Sequence, residues 1–179
     1  MLTHTETGKE EPMTQPDLSA VRDLIDGALR AESGLASLWD PEPAWYEKLL
    51  TGVALAVGDD PVAYIDAGLQ RDDSTLAFRI VVYTERALVL GTADIPAPGD
   101  AARISARLYP RRGLAYINIT ATGRSISDED EVEWPGRVTV HVVYGSGIEL
   151  TMPAGDVGTP EKRARFLRLL DTLRDDLTN

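Results

Sequence analysis

At 179 residues with 43% hydrophobic side chains, the chain is long enough to close one core and suits a single domain with extensions. Its 29 acidic against 18 basic residues leave a formal charge of -11, which repels nucleic-acid phosphates and anionic lipid wherever no local basic patch overrides it. The absence of cysteine excludes disulfides, thiolate metal sites and cysteine nucleophiles, and favours a reducing compartment.

Residues 1–16 mix Thr, Glu, Gly, Pro and Lys without periodicity, so a disordered tail is expected there, and either Met1 or Met13 can serve as the start. The tail has no apolar stretch behind a basic start, so no signal peptide is expected. No apolar run reaches membrane-spanning length, and the expectation is an acidic, soluble, cytoplasmic protein.

Residues 17–60 read as a helical extension. Leu18, Val21, Ile25, Ala28 and Leu29 recur at helical spacing behind Asp17 or Thr14 as a cap, and Ser33-Gly34 ends that helix. After Asp40-Pro41-Glu42-Pro43, a second helix shows an apolar face of Tyr46, Leu49, Leu50, Val53 and Val57, closed by Gly58-Asp59-Asp60-Pro61. Trp39 and Trp45 bracket the junction and are expected to anchor it in the core.

From Pro61 helical spacing gives way to strands. Val62 to Leu69 is the first, and Gln70 to Ser74 a polar turn. Leu76, Phe78, Ile80 and Val82 then alternate with Ala77, Arg79, Val81 and Tyr83, Thr84-Glu85-Arg86 interrupts, and Ala87 to Leu90 resumes, which is the pattern of a hairpin. Ala93 to Asp100 reads as a loop, Arg103 to Tyr109 as a fourth strand and Ala115 to Thr120 as a fifth. Ser125 to Gly136 is expected to be an exposed connection. Val138, Val140, Val142 and Tyr144 mark a sixth strand, and Ile148, Leu150 and Met152 a seventh across the Gly145-Ser146-Gly147 turn. Thr159-Pro160 opens a last helix with Phe166, Leu169, Leu170, Leu173 and Leu177 as one apolar stripe.

Seven short antiparallel strands followed by one amphipathic helix is the order of the pleckstrin-homology-like (PH-like) barrel. The run Val81-Val82-Tyr83-Thr84-Glu85-Arg86-Ala87-Leu88-Val89-Leu90 resembles the second and third strands of bacterial PH-like domains, where a Thr and an Arg commonly occupy such a turn. The resemblance extends over roughly residues 62–177, including the Pro110 to Thr120 strand, the Gly145 to Gly147 turn and the last helix. It implies a mainly β fold, α+β by content: a seven-stranded antiparallel barrel spanning residues 61–179, with a C-terminal capping helix behind the two-helix extension. It further implies a binding and assembly module without enzyme activity. Eukaryotic members that bind phosphoinositides cluster basic residues in the first hairpin; here that turn offers Arg71 against Asp72 and Asp73, which disfavours phosphoinositide or membrane binding.

Charge segregation is the sharpest local feature. Ala101 to Ser127 carries five arginines, Arg103, Arg107, Arg111, Arg112 and Arg124, and no acid, whereas Asp128 to Glu133 carries five acids and no base. The arginines, with Trp134 as an anchor, form the candidate binding surface for an anionic ligand or acidic partner, or the basic and acidic patches together join protomers head to tail. Solvated loop charges of little energetic consequence are the plainer reading. No catalytic, cofactor or metal residues are assigned. Asp128 to Glu131 lacks the glycine and spaced ligands of a calcium loop, and Gly91, Gly113 and Gly123 fit no phosphate loop. The carboxylates Asp66 and Asp94 flanking the hairpin have no specificity as an acid/base pair. His141 faces away from Val140 and Val142, and its nearest serines, Ser125, Ser127 and Ser146, lie in no nucleophile elbow, so a hydrogen-bonded strand histidine is expected.

The function expected from all this is a non-catalytic module acting through a protein partner or by self-association (oligomerisation), without nucleic acid or cofactor. The alternatives are a small-ligand carrier or sensor, disfavoured because Phe78, Ile80 and Tyr144 are expected to point inward and fill the barrel, and an enzyme of unrecognised type.

Overall fold

A computed structural model describes residues 17–39, 42–71, 75–95, 101–122, 137–154 and 159–178. The tail and the acidic connection lie outside them. Helix α1 (Leu18–Arg30), a 3-10 segment (Ser33–Leu38) and helix α2 (Ala44–Val57) precede strands β1 (Val62–Arg71), β2 (Leu76–Thr84), β3 (Ala87–Ile95) and β4 (Arg103–Pro110). A short 3-10 turn (Arg111–Gly113) leads into β5 (Leu114–Thr122), β6 (Arg137–Tyr144), β7 (Glu149–Met152) and helix α3 (Pro160–Thr178).

The seven strands do not make one closed barrel. They form a four-stranded antiparallel sheet, β1-β2-β3-β4, and a three-stranded one, β5-β6-β7. Tyr64, Val81, Tyr83 and Leu88 of the first sheet pack with Val138, Val140, Val142, Tyr144, Leu150 and Met152 of the second, and α3 adds Phe166, Leu169, Leu170 and Leu173 to the same core. Leu177, expected in that stripe, is 40% exposed.

The first sheet is buried on its other face as well. Phe78, Ile80, Val82, Val89 and Ala93 pack under Ile25, Leu29, Leu35, Tyr46, Leu49, Leu50, Val53 and Val57, so the helical extension lies on its own sheet. This reverses the expected orientation of the hairpin. Phe78 and Ile80 point away from the space between the sheets and Val81 and Tyr83 into it, while Tyr144 does face inward. Alternation separates the two faces of a strand, but with apolar residues on both it cannot say which one meets the second sheet.

Close packing selects the residues under α2. A Cβ added at Gly91 would lie 2.5 Å from a Val53 methyl, and one at Gly52 would touch Ala106 at 3.4 Å. β3 also runs on through Ala93, which is fully buried, into the segment expected as loop. Trp39 packs at a tilt against Tyr46 and Trp45 against Phe78, with centroids 4.7 and 5.5 Å apart, so both tryptophans anchor the junction. Among the described residues no helix is long and apolar enough to cross a membrane.

Candidate functional site

Residues directly opposite one another in an antiparallel pair share a face, so the register of β2, β3 and β4 arranges the inner face of the first sheet in rows. Tyr83, Leu88 and Tyr109 form one row, and Val81, Leu90 and Arg107 the next. Arg79, Thr92 and Ser105 follow, and then Ala77, Asp94 and Arg103. The face therefore grades from apolar, where the second sheet and α3 cover it, to polar at its far end. Thr92 and Ser105 exchange a hydroxyl hydrogen bond at 2.8 Å there.

Arg103 and Arg107 are exposed on β4, which pairs only with β3 and leaves its outer edge without a neighbouring strand among the described residues. The register adds half-buried Arg79 on β2, which the sequence reading missed. Arg79 lies far from the arginine-rich run in the chain, but its alternation with Val81 and Tyr83 was the available signal. Asp94, paired opposite Arg103, is the one acid in these rows.

Arg111 leaves the candidate surface. It is only 5% exposed, and its guanidinium donates to the Asp176 carboxylate at 2.8 Å, to the Thr84 carbonyl at 3.0 Å and to the Thr172 hydroxyl at 2.9 Å. The 3-10 turn sends Arg111 inward against the Tyr83 ring while adjacent Arg112 stays exposed, so neighbours in sequence take opposite roles. Beside this tie the Tyr144 hydroxyl donates to that of Tyr83 at 3.2 Å. Burial pushes the Tyr144 phenol up to about 12 and raises Tyr83 further above the ordinary range, so both stay neutral. Arg124 and Trp134 lie outside the described residues.

Two other polar clusters bind elements together. Asp66, fully buried on β1, accepts hydrogen bonds from the Ala154 and Ala67 amides and, at 3.3 Å, from Lys162 of α3, which also pairs with Glu32 of the extension. Asp66 and Asp94 are held apart: Asp66 pairs opposite Val81 and Asp94 opposite Ala77 on the far side of β2, so they form no acid/base pair. Asp60, also buried, accepts from the Thr84 hydroxyl and from the Arg86 amide and guanidinium, fastening the end of α2 to the β2–β3 turn. Burial pushes its carboxyl up, but those donors outweigh burial and hold it below the usual carboxylate range.

His141 lies on the outer face of the second sheet, opposite Thr151, with Nδ1 3.4 Å from the Thr151 hydroxyl and Nε2 3.7 Å from Glu149. Ser146 is exposed in the β6–β7 turn, and Ser125 and Ser127 lie outside the described residues. His141 thus stands on a sheet surface beside exposed Glu149 and Thr151 rather than at a nucleophile elbow. Comparison of the chain with protein-family models, with curated proteins and with solved structures finds no match.

Proposed function

We propose that this protein is a non-catalytic binding or assembly module of PH-like architecture, working through protein–protein contacts. Supporting the architecture are a four-stranded and a three-stranded antiparallel sheet packed face to face, and a final helix that contributes to the core between them. The observation that carries the functional reading is the outer edge of β4. It presents Arg103 and Arg107 on one face and Leu108, 59% exposed, on the other, in a chain whose formal charge is -11. A strand edge with no neighbouring strand among the described residues, with exposed cations and an apolar side chain, suits recognition, because each supplies an interaction that water satisfies less specifically than a partner does.

Native mass spectrometry of the untagged protein from its own host, after mild cross-linking, tests this. Integer multiples of the chain, or one chain plus a second polypeptide, is the expected result. A mass equal to one chain alone would overturn the reading, and a small-ligand adduct would favour a carrier.

A further inference from the structure

The mode of that contact can be taken further, resting on the protein-binding reading above. We propose that the outer edge of β4 takes an extended segment of a partner protein as an added strand, and that the segment alternates acidic with apolar residues.

The alternation follows from the edge itself. Arg103, Ser105 and Arg107 share the inner face of β4, in register with Asp94, Thr92 and Leu90 of β3, while Ile104, Ala106 and Leu108 share the outer face. An added strand places its own side chains directly opposite these, alternately inward and outward. Inward positions meet two exposed guanidiniums across a hydroxyl, which favours carboxylates opposite Arg103 and Arg107 and disfavours lysine or arginine there. Asp94 stands opposite Arg103 in the β3–β4 register, whereas Arg107, whose β3 partner is Leu90, has no acid opposite it on β3.

Outward positions meet an apolar rim. A Cβ at Gly52 would touch Ala106, and Asp60, just past the end of α2, is bonded at the turn whose Arg86 carbonyl accepts from the Arg111 amide. α2 therefore runs in the direction of β4. One turn beyond Gly52 on α2 stands Leu55, 60% exposed, and two residues beyond Ala106 on β4 stands Leu108, 59% exposed. Valine-like side chains over this rim would cover both leucines, while the backbone satisfies the open ladder.

The test uses the full chain and a capped peptide of alternating valine and glutamate, followed by amide NMR and hydrogen exchange. Three controls go with it: the same peptide with lysine for glutamate, and two versions N-methylated on one or the other alternate set of amides. The glutamate peptide is expected to shift and protect β4 amides, to bind at least about tenfold more tightly than the lysine peptide, and to be abolished by one N-methylated set only. Arg103→Glu/Arg107→Glu, two exposed positions, is expected to lose about tenfold in affinity while keeping its amide spectrum elsewhere.

Equal binding of both N-methylated peptides, or of the lysine peptide, would overturn strand addition at this edge. So would concentration-dependent dimerisation lost in the Arg103→Glu/Arg107→Glu chain, which would give the edge to a second copy. A partner retained in native mass spectra by a chain that ignores the peptide overturns the strand and leaves the protein-binding reading standing. Failure of both overturns the reading as well.

Discussion

Arg111 is the residue on which most of the inner architecture converges, because one planar guanidinium reaches a carboxylate, a carbonyl and a hydroxyl that come from β2 and α3. Replacing it with methionine fills the space but leaves Asp176 and the Thr84 carbonyl without their donor. Urea unfolding of Arg111→Met is expected to show a loss of about 3 kcal/mol, the low end for a broken buried pair since Asp176 keeps some access to water. Arg111→Lys is expected to recover little, as an ammonium cannot span the three acceptors. Nothing local distinguishes Arg111 from Arg112, and only the turn that points one inward decides it. Asp60 offers a test by pH. Its folded carboxyl sits below its unfolded value, so its contribution is full above the unfolded pKa of about 4 and is lost as pH falls through the lower folded one. Asp60→Asn is accordingly expected to be less stable than the parent at neutral pH, with the gap closing below about pH 4 in thermal melts.

Among the elements, α3 was the most legible, since a stripe of period 3.6 survives in any context that offers one apolar surface. The stripe does not say where the surface stops. Leu173 is fully buried and Leu177 is not, so Leu173→Ala is expected to cost about 2–5 kcal/mol by chemical denaturation and Leu177→Ala under about 1. A comparable loss at both positions would mean that the end of α3 is covered by something else. The end of β3 shows the opposite case. Ala93 and Asp94 carry weak strand preference, yet both continue the ladder because β2 and β4 pair on either side. Arg79 was obscured for the same reason: its membership in the arginine rows exists only across strands.

For the whole molecule, the helical extension and the first sheet are one unit. A chain beginning at Gly58 keeps Asp60 but uncovers Phe78, Ile80, Val82, Val89 and Ala93 together, an apolar face no soluble monomer leaves open. It is expected to aggregate on size-exclusion chromatography, whereas a soluble monomer would show that the sheet does not depend on its helices. The order of seven strands and three long helices, and the position of nearly every turn, could be read from the residues, because periods of 2 and 3.6 and the punctuation of Pro and Gly are properties of neighbouring residues. Tertiary structure alone decided which face of β2 the extension covers, that the strands divide between two sheets, and that Arg111 is spent inside while Arg103 and Arg107 stay exposed on β4, the last strand of its sheet among the described residues. Those outcomes depend on contacts between residues distant in the chain. Apolar residues stand on both sides of β2, Phe78, Ile80 and Val82 on one and Val81 and Tyr83 on the other, so its local pattern is compatible with either packing and only the competition for the two buried faces resolves it.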